Sequence, residues 1–125
     1  MARFSTFATT VIMDSWSRSE GRTVLSDREV DQALAEQQGW RREGMTLVRE
    51  LILRDFDEAM RFLERVAEMA NDYGRRPDMC ISEFNHVRLS ISNLHHAGFT
   101  LAEIRLAAKV NAVIDEHHSH ASRQS

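Results

Sequence analysis

The stretch DFDEAMRFLERVAEMANDYG, residues 55–74, predicts the longest regular element of the chain. Apolar residues recur through it at helical spacing. They are Phe56, Ala59, Met60, Leu63, Val66, Ala67, Ala70 and Tyr73. Asp55 can cap the helix at its start, and Gly74 can adopt the left-handed conformation that often ends one. Because such a helix must bury its apolar side against other elements, the flanking sequence decides the fold.

Two further helices are marked by capping patterns on either side of this stretch. Ser26 and Glu29 have the spacing of a capping box, and they open a helix that Gly39 should end. Thr100 and Glu103 repeat the same spacing near the end of the chain. The sequence therefore predicts three helices, the central one being the longest.

The segments between the helices alternate as strands do. Strands are predicted over 40–42, 46–54, 79–83 and 86–92, and in the last one Val87, Leu89 and Ile91 share a face. The order is then α-β-β-α-β-β-α. This order predicts one α+β domain, in which a four-stranded antiparallel sheet carries its helices on one face. Its uncovered face and edge strands favour self-association.

The ends of the chain lack these patterns. We expect residues 1–24 to form a poorly ordered arm or an added edge strand, and residues 119–125 to form a disordered tail. Residues 25–118 are then the single domain, which suits a chain of 125 residues.

Composition excludes several classes of function. The net charge is −3 with neutral histidines, which gives no general attraction to nucleic acid, and no apolar run is long enough to cross a membrane. The single cysteine, Cys80, cannot form a disulfide within the chain, and this is typical of a cytoplasmic protein. A metal site built from His117, His118 and His120 is a weaker alternative, because their spacing is irregular, so we expect no metal and no cofactor.

Four stretches resemble the pterin-4a-carbinolamine dehydratase family, also called the 4a-hydroxytetrahydrobiopterin dehydratases, from Leu25 to Ile114. They are GWRREGMTLVRELILRDFDEAMRFLERVAEMA, Pro77-Asp78, FNHVRLSIS and AGFTLAEIRLAAKV. The resemblance implies the α+β fold, a homodimer or homotetramer, and removal of water from a 4a-hydroxytetrahydropterin. One group would protonate the departing hydroxyl while another accepts a proton, and histidine can do both near neutral pH.

The chain departs from that family at the positions that carry its chemistry. Arg75 and Arg76 stand where the family has two histidines, Leu94 stands in place of a third, and Asn93 in place of a threonine. Of the expected carboxylates, Glu103 remains. Because arginine stays protonated and leucine has no proton to give, the sequence predicts that ordinary pterin dehydration is absent or very weak.

Arg75 and Arg76 have two interpretations. They are either solvated cations at a helix C-terminus or a clamp for a carboxylate or phosphate. In the second interpretation the substrate-binding residues are Arg75, Arg76, Asn93, Leu94, Asp78 and Met79. The catalytic residues would be His95, which could swing into the vacated position, and Glu103, which otherwise serves as a cap.

Three functions remain open. The first is a repurposed enzyme of secondary metabolism, a carbon–oxygen lyase or iminium-forming enzyme that acts on a carbinolamine of a non-pterin, acid-bearing small molecule. The second is a non-catalytic protein, because relatives of this family serve as dimerisation cofactors of transcription factors and as Rubisco assembly factors. The third is a weak 4a-hydroxytetrahydrobiopterin dehydratase.

Overall fold

The computed structural model describes residues 23–93 and 98–124, with side chains through Ser119. The predicted fold class and element order are confirmed. The three helices are α1 (Asp27–Glu36), α2 (Phe56–Tyr73) and α3 (Leu101–Gln124). The four strands are β1 (Arg41–Glu43), β2 (Thr46–Ile52), β3 (Asp78–Ser82) and β4 (His86–Ser92). They form one antiparallel sheet in the order β1-β2-β4-β3, so β1 and β3 are its edges.

The ends of α2 form as its sequence predicts. The side chain of Asp55 accepts a hydrogen bond from the backbone N–H of Glu58, which satisfies a donor that has no partner within the helix. Gly74 ends the helix with φ +91°, and its N–H donates to the carbonyl of Ala70. A side chain at this φ is strained, so the glycine fixes where α2 stops and where the following loop begins.

The other helices differ from expectation mainly in length. Ser26 caps α1 through the complete capping box with Glu29, but the helix stops at Glu36, before Gly39. Helix α3 continues to Gln124, past the boundary that the sequence suggested at residue 118. The chain joins the domain at Val24, which bridges to Thr100. The predicted arm, apart from its last two residues, lies outside the described range.

The register separates two faces of the sheet. Leu47 lies opposite Ile91, and Leu51 lies opposite Val87, so these side chains share the face that packs against the helices. Leu89 joins them, and all the β4 residues of this set are buried in the core. The alternation read from the sequence of β4 is therefore confirmed.

The face without helices carries an ion-pair network. Glu50 contacts Arg41, Arg88 and His86, and Glu43 contacts the same two arginines. These hydrogen bonds, led by the one from Arg41, hold the pKa of the Glu50 carboxyl below its usual value. Val48 lies on this face and is nevertheless fully buried, although it belongs to no part of the core cluster. Charged side chains therefore occupy much of the face that no helix covers.

A partly buried pair of side chains connects the last helix to the start of α2. His117 Nε2 lies 3.0 Å from Glu58 Oε2, and its ring meets Phe62 edge-on at 5.4 Å. Hydrogen bonding by the backbone N–H of Arg54, and then by His117, lowers the pKa of Glu58. His117, weighed above as a metal ligand, thus contacts a carboxylate of the helix layer. Within the described residues, no helix is long and apolar enough to span a membrane.

Candidate functional site

A buried carboxylate, Glu103, lies at the centre of the candidate site. It sits in the first turn of α3 with only 2% of its surface exposed. Its Oε1 accepts hydrogen bonds from the backbone N–H of Thr100 at 2.6 Å and from the Thr100 hydroxyl at 2.8 Å. Its Oε2 accepts from Asn93 Nδ2 at 3.1 Å and from Arg75 Nη1 at 3.2 Å. A charged group can be buried only when it is paired in this way.

These four hydrogen bonds join three segments of the chain. Arg75 belongs to the loop between α2 and β3, Asn93 follows the end of β4, and Thr100 precedes α3. A carboxylate offers about four acceptor positions, and donors of the protein occupy that number around Glu103. The arrangement favours a role in holding the three segments together. The positive end of the α3 dipole stabilises the same negative charge.

The end of α2 determines where the loop that carries Arg75 and Arg76 begins. Gly74 turns the chain out of the helix, and Pro77 restricts Arg76 to extended conformations. The Arg75 side chain is 43% exposed, so Glu103 binds one edge of its guanidinium while solvent reaches the rest. Arg76 Nε donates to Asn71 Oδ1 at 2.8 Å on the exposed surface. Among the described residues, no acceptor binds Nε or Nη2 of Arg75, or either terminal nitrogen of Arg76.

The remaining predicted site residues are placed differently. Asp78 pairs with Ser90 in the sheet, so it lies on the face without helices, away from Glu103. Met79 pairs with Leu89 on the helix face and is 40% exposed at the sheet edge. The structure thus brings Arg75, Asn93 and Glu103 together. Arg76 is next to Arg75 in the chain but contacts Asn71, and Asp78 lies away from the group. Leu94 and His95 lie outside the described residues.

Sequence reasoning missed a second group of cations at this end of the helices. Arg105 Cζ and Lys109 Nζ lie 5.7 and 5.2 Å from the centre of the Tyr73 ring. The Tyr73 hydroxyl donates to the carbonyl of Ala102 at 3.3 Å. The spacing of Arg105 and Lys109, four residues apart in a helix, predicts that they share a face. Their meeting with Tyr73 depends on how α2 and α3 pack.

Comparison with known proteins identifies the scaffold. The family model described as pterin 4 alpha carbinolamine dehydratase matches residues 23–113. The chain belongs to this family. The resemblance seen in the sequence is therefore confirmed. The match includes Arg75, Asn93 and Glu103, so the candidate site lies within the family's domain, while residues 1–22 and 114–125 lie outside the match.

Individual relatives match a share of the chain similar to that matched by the family model. A relative from Thermomicrobium roseum, whose name assigns it provisionally to the pterin-4-alpha-carbinolamine dehydratases, is 38% identical over 69% of this chain and 91% of its own. One from Koribacter versatilis with the same name is 33% identical over 72% of this chain and 95% of its own. A crystal structure of a transcriptional coactivator/pterin dehydratase from Brucella melitensis is 25% identical, with a TM-score of 0.66, and covers 73% of this chain and 98% of that one.

Proposed function

We propose that the corner formed by Arg75, Arg76, Asn93 and Glu103 binds a small molecule with an acidic group, and that the protein acts on it as a repurposed member of the family. The substrate is a carbinolamine or iminium compound other than the pterin, and the reaction is a dehydration or condensation without a cofactor. One observation carries the proposal. A buried carboxylate holds one edge of Arg75 and leaves its other N–H groups accessible.

The electrostatics of the corner support anion binding. Arg75 and Arg76 carry two positive charges, and Glu103 supplies a single negative charge that is buried and already hydrogen-bonded. A guanidinium binds carboxylates and phosphates through parallel N–H groups, and orienting it in advance reduces the entropy lost when a ligand binds. Glu103 is therefore a positioning residue for Arg75 in this proposal.

Proton transfer needs a further group. The two arginines cannot accept a proton, and the oxygens of Glu103 are occupied by donors. His95 follows Asn93 by two residues and can exchange a proton near neutral pH, so we assign the proton step to it. His95→Gln should then abolish turnover while leaving anion binding unchanged.

A non-catalytic binding or assembly role is the second candidate. The saturated hydrogen bonding of Glu103 favours it, because none of the described groups that surround this carboxylate carries a readily exchanged proton. The Brucella melitensis relative is named both a transcriptional coactivator and a pterin dehydratase, which supports a role other than catalysis for a protein with this fold. A weak 4a-hydroxytetrahydrobiopterin dehydratase is the third candidate, and it also depends on His95.

Self-association as a homodimer or homotetramer is part of the proposal. Strand β3 is an edge strand whose residues are mostly exposed. Two large apolar side chains are also exposed: Ile52, at the end of β2, at 69%, and Phe84, in the turn between β3 and β4, at 60%. Unpaired edges and exposed apolar groups favour association. Light scattering coupled to size-exclusion chromatography measures the assembly directly.

Binding and turnover measurements separate the three functions. Calorimetry with small carboxylates and phosphates should show binding that Arg75→Gln and Arg76→Gln each weaken, whereas Arg61→Gln, which removes an exposed cation of α2, should not. Purified protein should not accelerate dehydration of the 4a-hydroxypterin. Slight acceleration would favour the third candidate, and strong acceleration would refute the prediction that this activity is absent or very weak. Binding of anions without turnover of any carbinolamine would favour the second. Absence of anion binding would eliminate the clamp.

A further inference from the structure

Two cations near the candidate site have no role in the function proposed above. Arg105 and Lys109 lie along one face of α3, and both approach the ring of Tyr73. Tyr73 is itself fixed by its hydrogen bond to Ala102 and directly precedes Gly74 and Arg75. Two flexible cationic side chains are therefore held beside one aromatic ring, at the end of α2 from which the arginine pair emerges.

The two groups of cations are close enough to act on one small molecule. Lys109 follows Glu103 by six residues, which is roughly 9 Å along a helix axis. Arg75 binds that same Glu103, so roughly 9 Å is the distance along the α3 backbone between Lys109 and the residue that holds the first cation group. The acidic residues within three positions of these four cations are the buried Glu103 and the exposed Asp72 and Asp78, and Asp78 lies on the sheet face without helices, so the cations outnumber the carboxylates. This local excess is opposite in sign to the net charge of the chain, −3.

We propose that Lys109, with Arg105, binds a second anionic group of the ligand whose first acidic group is held by Arg75 and Arg76. The ligand class is then a small molecule with two anionic groups, carboxylate or phosphate, separated by roughly 9 Å. This inference rests on the proposed function, because it extends the same site. A cation already oriented by an aromatic ring binds an anion with a smaller loss of side-chain entropy.

The test uses two probes of equal length and different charge. Suberate carries a carboxylate at each end of an extended chain, and its monomethyl ester carries only one. Wild-type protein should bind suberate about tenfold more tightly than the ester, since one additional charge-assisted hydrogen bond has roughly that effect. Lys109→Gln should remove the difference by weakening suberate alone, and Lys109→Arg should retain it. Arg61→Gln, with the same change of net charge, should behave as wild type.

The outcomes are distinguishable. If both probes bind wild type and Lys109→Gln with an unchanged ratio, the second anion site is refuted while the arginine clamp stands. If neither probe binds wild type, both the clamp and its extension are refuted. A fall in the melting temperature of Lys109→Gln with an unchanged ratio of affinities shows that Lys109 only stabilises the end of α2 and the Tyr73 ring, which also refutes the inference.

Discussion

Replacing Arg75 by glutamine should lower the free energy of unfolding by about 2 kcal/mol, because Glu103 stays buried and loses its cation. The hydrogen bonds from Thr100 and Asn93 remain, so the carboxylate is not left without donors. A hydrogen bond to a charged group contributes about 1.5–3 kcal/mol. Arg75 is 43% exposed, and solvent screening places the expected loss in the lower half of that range.

Urea unfolding at low salt measures this loss, and Arg76→Gln is the matched control. Arg76 bonds the exposed Asn71, so its replacement should change stability by no more than about 0.5 kcal/mol. Glu103→Gln should cost about 3 kcal/mol, because its amide nitrogen must face groups that also donate hydrogen bonds. In the Glu103→Gln background, Arg75→Gln should have little further effect.

Two results would refute this reasoning. A loss below about 0.5 kcal/mol for Arg75→Gln would show that the buried carboxylate does not need its cation. An equal loss for Arg76→Gln would show that removing any positive charge from the loop has the same effect. In either case Glu103 would not position Arg75, and the main support for the clamp would be lost.

Three further predictions concern the stability of the fold. Gly74→Ala should destabilise the protein by about 1 kcal/mol through backbone strain alone, measured by thermal unfolding, since φ is +91° and an added methyl would meet no atom within 4 Å. Phe84→Asn should increase stability by a few tenths of a kcal/mol, because Phe84 is exposed with φ 60° and asparagine tolerates that conformation better; an equal or lower stability would contradict this. The Glu50 carboxyl has a lowered pKa in the folded protein, so its stabilising effect is present above about pH 4.5 and is lost as the pH falls through the folded value. Glu50→Gln should therefore lose less stability than wild type between neutral and acidic pH, and high salt should reduce the difference.

The ion-pair network on the open face changes the expected basis of self-association. From the sequence, we expected the uncovered face of the sheet to favour self-association, and Val48 and Ile52 of β2 share that face. Val48, on that face, is fully buried, while Ile52 is exposed at the end of the strand. The apolar surface that β2 offers to a partner is therefore at the end of the strand and not at its centre.

The sequence by itself determined the local elements, because their signals act over a few residues. The apolar spacing of residues 55–74, the cap at Asp55 and the glycine at 74 fix α2 almost to the residue. The alternation in β4 likewise fixes which of its side chains enter the core. Family membership followed from the same short stretches, and the family match confirms it.

Only the tertiary structure decided how the site is assembled. Arg75 and Glu103 are 28 residues apart, and nothing in either local sequence specifies that one guanidinium edge meets a buried carboxylate. Strand pairing turned Asp78 to the other face of the sheet, and helix packing brought Lys109 to Tyr73. Such contacts depend on register and packing between distant segments, and the pattern within each segment is the same whichever partner it meets.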